Sequence, residues 1–105
     1  MKNAEQRKRK LETFFEAYQK RFEDALEGKE PDVEGVTGSF AESFIESSPV
    51  GVIAGKNDDK FRETIPKGYE YYKSIGTTGM SILSKEITLL DDLHSMVKVH
   101  WKSDY

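Results

Sequence analysis

The first quarter of the chain carries apolar side chains at intervals of three and four residues. These residues are Leu11, Phe14, Phe15, Tyr18, Phe22, Ala25 and Leu26. The spacing places them on one face of a helix and predicts that helix from about residue 4 to residue 27. Gly28 predicts the end of the helix, because glycine adopts the left-handed backbone conformation without steric cost.

The next segment predicts one short helix and two short strands. Pro31 and Asp32 mark the start of the helix, because proline suits the first turn and aspartate favours the positive end of the helix dipole. Residues 44–48 predict a brief strand that ends at Pro49, since proline has no backbone N–H for strand pairing. Residues 50–54 predict a second short strand.

Helical spacing returns in the middle of the chain. Asn57 predicts the N-terminal cap of a third helix. The apolar positions of this helix are Phe61, Ile65, Tyr69, Tyr72 and Ile75. Pro66 lies inside the pattern and predicts a kink or a break near Ile65. Gly76 predicts the end of the segment.

The last part of the chain has the pattern of a long antiparallel hairpin. Residues 77–90 are rich in β-branched and apolar side chains, and Asp91 and Asp92 supply turn chemistry. The following residues alternate Val97, Val99 and Trp101 with Lys98, His100 and Lys102. This alternation predicts one buried and one exposed face.

The composition indicates one globular domain over residues 1–105. Hydrophobic residues make up 36% of the chain, charged residues 33%, and the net charge is -3. We expect no nucleic acid partner, and we interpret the basic run of residues 7–10 as solvated helix surface because acidic residues surround it. The absence of cysteine excludes disulfides and thiolate chemistry. Without a signal-peptide pattern or an apolar stretch of membrane length, we expect a cytoplasmic protein with no membrane partner.

Three features resemble the nuclear transport factor 2-like superfamily, which includes ketosteroid isomerases and polyketide cyclases. They are the order of elements together with the aromatic first helix, the Ser48-Pro49-Val50-Gly51 bend, and the strand that carries Trp101. The resemblance covers essentially the whole chain. It implies an α+β fold of cone shape, with about three N-terminal helices packed on a curved antiparallel sheet.

The resemblance also implies two further long strands beyond Tyr105, where this sequence stops. A sheet that lacks them leaves backbone groups of its last strand unpaired, and such an edge favours pairing with another chain. We therefore expect a homodimer packed through the sheet.

Members of this superfamily commonly hold a small apolar ligand inside the cone. The resemblance implies a pocket lined by Tyr18, Phe22, Phe44, Tyr72 and Trp101. The alternative is that these five side chains simply fill the core, as aromatic residues at helical spacing usually do.

The catalytic pattern of ketosteroid isomerases is met here only in part. Their general base is an aspartate directly before the proline of the bend, and this chain has Ser48 there. A neutral hydroxyl does not replace that base without a histidine or lysine beside it. If the protein is an enzyme, Glu46 is the substitute base and Tyr18 donates a hydrogen bond to the oxyanion. The alternative for Glu46 is a solvated surface residue, and the alternative for Tyr18 is a core residue. We assign no catalytic residue.

The residues Asp91, Asp92, His94 and His100 raise the question of a metal site. His94 and His100 are six residues apart, which is about 20 Å along a strand and too far for one ion. We therefore expect no metal and no cofactor. The leading interpretation is a small-molecule-binding protein. The alternatives are an isomerase, dehydratase or cyclase acting by proton transfer on a carbonyl compound, and a protein-interaction module that uses the sheet or its last strand.

Overall fold

The computed structural model describes residues 3–105. Its helices are α1 (Ala4–Leu26), α2 (Val33–Thr37) and α3 (Asp59–Ser74), and its strands are β1 (Ser43–Ser48), β2 (Gly51–Lys56), β3 (Gly79–Leu89) and β4 (Ser95–Asp104). This arrangement confirms the predicted α+β class. Within the described residues, no helix is both long enough and apolar enough to cross a membrane.

The strands of the described chain form two separate antiparallel hairpins, β1–β2 and β3–β4. In the first hairpin Ser48 pairs with Gly51, so Pro49 and Val50 make the turn. In the second, Ile82 pairs with Trp101 and a β-bulge follows before Ser84. The cone shape implied by the resemblance stays a prediction.

Helix α1 contacts the β3–β4 hairpin near both ends of the hairpin. Near the N-terminus of α1, the Arg7 Nη2 donates hydrogen bonds to the His94 carbonyl oxygen at 3.3 Å and to Ser95 Oγ at 3.1 Å. Further along, Gln19 Oε1 accepts a hydrogen bond of 2.8 Å from the Ile82 amide beside the bulge. That bond satisfies a backbone donor at the place where the regular ladder is interrupted. Helix α1 ends as predicted, with Gly28 at a φ of 93°.

The apolar interior is small. The buried hydrophobic side chains of the described chain are Ala25, Val36, Ile65 and Met80. They come from α1, α2, α3 and β3, so the core lies where these elements meet. Many large apolar side chains elsewhere in the described chain stay exposed, among them Ile45, Leu83 and Leu93.

The predicted cap of α3 was wrong by one residue. Asp58 is the N-cap, and its Oδ1 accepts a hydrogen bond of 3.0 Å from the Phe61 amide. Asn57 instead directs its side chain toward the end of α2, where Nδ2 donates to the carbonyl oxygens of Thr37 at 2.8 Å and Phe40 at 3.2 Å.

Pro66 does not break α3, which continues to Ser74. Proline removes one backbone donor from the helix. The neighbouring Ile65 is buried, and Phe61 and Tyr69 contact aromatic side chains of other elements. These tertiary contacts hold the helical conformation on both sides of the proline.

Candidate functional site

A cavity of about 520 Å³ lies between α1, α2, the first hairpin and α3. Seven of its thirteen lining residues are aromatic and one is charged. The lining residues are Tyr18, Phe22, Val36, Phe40, Phe44, Ile45, Glu46, Phe61, Thr64, Ile65, Gly68, Tyr69 and Tyr72. The cavity is thus an aromatic space with few polar groups.

One wall of the cavity is a cluster of three phenylalanines. The ring centroids of Phe40, Phe44 and Phe61 are 5.0 Å apart in each pair. Gly55 lies opposite Phe44 across the hairpin, and a Cβ at Gly55 would come within 2.6 Å of the Phe44 ring. The missing side chain at Gly55 therefore lets the Phe44 ring lie over β2 and reach the other two rings.

The opposite wall is formed by α1 and α3. The Phe22 ring makes edge contacts with Tyr69 at 5.2 Å and with Tyr72 at 5.0 Å between centroids. Gly68 directly precedes Tyr69 on α3 and lies about one turn before Tyr72, and a Cβ built there would meet nothing within 4 Å. Gly68 therefore leaves open space along this part of the helix.

A second cavity of about 330 Å³ adjoins the first one and is lined by Tyr18, Phe22, Tyr72, Met80, Trp101 and Ser103. Four of the five pocket residues expected from the sequence line the larger cavity, namely Tyr18, Phe22, Phe44 and Tyr72. Trp101 lines the smaller one, and its ring centroid lies 5.9 Å from that of Tyr18. Their role in binding a ligand stays a prediction.

Glu46 and Tyr18 supply polar groups to the larger cavity. Alternation along β1 places Glu46 on the same face as Phe44. Burial raises the pKa of the Tyr18 hydroxyl, and the neighbouring Tyr72 and the charge of Glu46 act in the same direction. Tyr18 therefore stays protonated at neutral pH and is available as a hydrogen-bond donor.

Arg21 is the cation nearest to the tyrosines of this wall. Its guanidinium carbon lies 5.8 Å from the centre of the Tyr18 ring, and Nη2 donates a hydrogen bond of 2.8 Å to Ser39 Oγ. Its charge opposes the increase in the pKa of Tyr18 and of Tyr69, which burial raises in both cases. Arg21 is not among the residues that line the larger cavity.

Ser48 lies outside this site. It ends β1 at the hairpin turn, and its Oγ accepts a hydrogen bond of 3.4 Å from the Val50 amide. Ser48 lines neither of the two cavities. The position that corresponds to the isomerase base is therefore separated from the aromatic space, whereas Glu46 borders it.

Two of the four residues considered for a metal site, Asp91 and His94, contact each other at the turn of the second hairpin. Asp91 Oδ1 accepts hydrogen bonds from the amides of Leu93 at 2.8 Å and His94 at 2.7 Å, and it lies 2.9 Å from His94 Nδ1. The hydrogen bond from the Leu93 amide is the main cause that holds the pKa of the Asp91 carboxyl below its ordinary value, and the His94 side chain lowers that pKa further. His100 is exposed on β4. Across residues 3–105, no cluster of three histidine, cysteine or acidic side chains is placed to hold a metal ion.

The sequence interpretation missed several lining residues. Phe61, Ile65 and Tyr69 were recognised as one helix face but not as part of a pocket. Their helical spacing was the available signal, because it places them beside Tyr72. Gly68 gave no signal, since a glycine inside a helix ordinarily indicates only reduced helix stability.

The described fold and cavity define an α+β protein in which helices and antiparallel hairpins surround an aromatic pocket. The family model described as NTF2-like protein (DUF6841) matches residues 7–103, and the chain belongs to that family. This match confirms the resemblance found in the sequence. No curated protein and no solved structure gave a match.

Proposed function

We propose that the protein binds a small, largely apolar molecule in the larger cavity. The observation that carries this proposal is the volume of about 520 Å³ together with its seven aromatic lining residues. Ligand sites in proteins typically have volumes of roughly 300–1,000 Å³, apolar walls and a few polar groups that fix orientation. Here those polar groups are Glu46, Thr64 and the tyrosine hydroxyls.

The cavity is a space that the protein's own side chains do not fill and that a ligand can fill. Protein interiors are close-packed, and an unfilled apolar space forfeits the contacts its lining atoms would otherwise make. The lining side chains are held by contacts among themselves, as in the three rings of Phe40, Phe44 and Phe61. A bound apolar molecule recovers dispersion contacts and removes apolar surface from water.

The variant Gly68→Leu tests this proposal, because it adds a side chain to open space at the cavity wall. We expect wild-type protein to bind 4-phenyl-1-butanol and the variant to bind it at least about tenfold more weakly, because leucine fills volume that the ligand needs. Leucine favours helix over glycine by about 0.8 kcal/mol, so we expect the variant to fold. Isothermal titration calorimetry measures the affinity, and circular dichroism checks the fold.

Lys67→Leu is the matched control, since it adds leucine at the adjacent exposed position of the same helix. We expect its affinity to equal that of the wild type. Equal binding by the Gly68→Leu variant would place the ligand elsewhere, and the absence of binding by the wild type would contradict the proposal.

A second candidate is an enzyme that transfers a proton on a carbonyl compound. It is favoured by one observation, that Tyr18 and Glu46 line the same cavity. In this function Glu46 removes a proton beside the carbonyl group, and the Tyr18 hydroxyl stabilises the developing oxyanion. Glu46→Gln should abolish turnover of a β,γ-unsaturated ketone while the protein stays folded. Unchanged turnover in that variant would exclude this mechanism.

The expected homodimer stays a prediction, and the first hairpin supports it. Ile45 and Val52 are large apolar residues that are exposed there, and strand alternation places both on the face of the hairpin opposite to Glu46. Exposed apolar residues that lie together on a surface are characteristic of interaction sites.

A further inference from the structure

The charge distribution around the larger cavity is unequal. Glu46 is the single charged side chain among its lining residues, and it is acidic. The seven aromatic rings present either faces with partial negative charge or edges with partial positive charge. A cation placed over a ring face is attracted, and a nearby carboxylate adds to that attraction.

Resting on the proposed function, we infer that the preferred ligand carries an ammonium group on an apolar body. The ammonium group lies beside Glu46, and the apolar body lies among the rings of α1, α3 and the phenylalanine cluster of Phe40, Phe44 and Phe61. The observation that carries this inference is the placement of the cavity's one charged side chain, a carboxylate, on the same face of β1 as Phe44.

The neighbouring groups agree with this assignment. Tyr18 lines the same cavity, and the charge of Glu46 contributes to the raised pKa of its hydroxyl, after burial and Tyr72. The phenol and the carboxylate therefore interact electrostatically across this region. A neutral phenol oxygen accepts a hydrogen bond from an ammonium group as well as donating one. Tyr18 thus adds an acceptor without adding a competing charge.

Arg21 is the cation that opposes the field of Glu46. Its guanidinium is engaged by the Ser39 hydroxyl and by the Tyr18 ring, and the residue does not line the larger cavity. At Tyr69, Asp32 acts on the hydroxyl in the direction opposite to Arg21. The charge that borders the cavity itself is therefore that of Glu46.

Ligands with other head groups lose this interaction. A carboxylate would meet the like charge of Glu46, and this repulsion is unfavourable. An alcohol keeps the apolar contacts but gains no charge attraction. The expected order of affinity is therefore amine, then alcohol, then carboxylate.

The test compares three probes that share one body, namely 4-phenylbutylamine, 4-phenyl-1-butanol and 4-phenylbutyrate, by calorimetry at pH 7 and low salt. We expect the amine to bind the wild type about tenfold more tightly than the alcohol, and the butyrate to bind most weakly. In Glu46→Gln, the affinity for the amine should fall about fivefold to tenfold, whereas that for the alcohol should fall much less, because glutamine loses the charge but keeps a hydrogen-bond partner for the hydroxyl.

Glu42→Gln is the matched control, because it removes the same charge from an exposed residue near β1 that does not line the cavity. We expect it to leave the affinity for the amine unchanged. Equal affinities for amine and alcohol, tightest binding of the butyrate, or an equal loss in both variants would overturn the inference. If Gly68→Leu still weakens the binding of 4-phenyl-1-butanol in those cases, the proposed function is supported although the inference is wrong. If none of the three probes binds, both proposals fail.

Discussion

Replacing Ile65 with alanine is expected to lower the free energy of unfolding by about 2–3 kcal/mol. Ile65 is 8% exposed and is one of the few buried hydrophobic side chains of the described chain. Truncation removes its transfer free energy and leaves space that the surrounding aromatic rings fill only in part. Because the interior is small, this is a large share of the total stability. Urea unfolding followed by circular dichroism measures the change.

Ile75→Ala is the control, because it makes the same chemical change at the C-terminal end of α3 where the side chain is 46% exposed. We expect Ile75→Ala to lower the free energy of unfolding by less than about 1 kcal/mol. Similar losses in the two variants would show that Ile65 contributes no more than a surface residue. An unchanged denaturant dependence of the unfolding free energy would confirm that both variants unfold from the same compact state.

Replacing Asn57 with aspartate is expected to lower the free energy of unfolding by about 2–3 kcal/mol. The Asn57 amide nitrogen donates to the carbonyl oxygens of Thr37 and Phe40, and it joins the end of α2 to the start of α3. A carboxylate has no proton to donate and would place negative charge against two carbonyl oxygens. Asn57→Ala should lower the free energy of unfolding by a smaller amount, because it removes the donor without adding the repulsion. Thermal and urea unfolding measure both changes.

Asp58→Asn is the matched control at the adjacent position. Asparagine caps helix N-termini about as well as aspartate, so we expect a change of only a few tenths of a kcal/mol. A larger loss in Asp58→Asn than in Asn57→Asp would mean that the helix cap, and not the link to α2, is the stronger contact.

These two neighbouring residues show what a local pattern predicts and what it does not. Asparagine and aspartate are both good caps, and the sequence alone does not rank Asn57 against Asp58. The partners of Asn57 lie 17 and 20 residues earlier in the chain, and only the folded arrangement of α2 brings them within hydrogen-bond distance. The prediction of the helix was therefore confirmed, while that of its cap was wrong.

The larger elements were predictable because each has a strong local period. The aromatic spacing predicted the C-terminal end of α1 to within one residue. The alternation of Val97, Val99 and Trp101 predicted β4. Helix α3 does not break at Pro66, because a single missing donor costs less than the contacts of its neighbours contribute. In this instance tertiary packing decided the conformation.

The candidate site was predictable to a smaller extent. Five aromatic residues were expected to line one pocket; four of them border the larger cavity, and Trp101 borders the smaller one. The contribution of Gly55 and Gly68 was not predictable, because each acts by the absence of a side chain in a place that only the tertiary structure defines.

The attachment of the first hairpin has a consequence for the dynamics of the cavity wall. The Phe44 ring is the aromatic contact between this hairpin and the helical side of the cavity, and most other residues of β1 and β2 are exposed. Segments with few buried contacts open at a free-energy cost well below that of global unfolding. Because β1 carries Glu46, we expect the wall that bears the cavity's charge to open at a lower free-energy cost than the interior around Ile65. A molecule that bridges this wall and α3 would therefore add to the single ring pair, Phe44 with Phe61, by which aromatic side chains join β1 to α3.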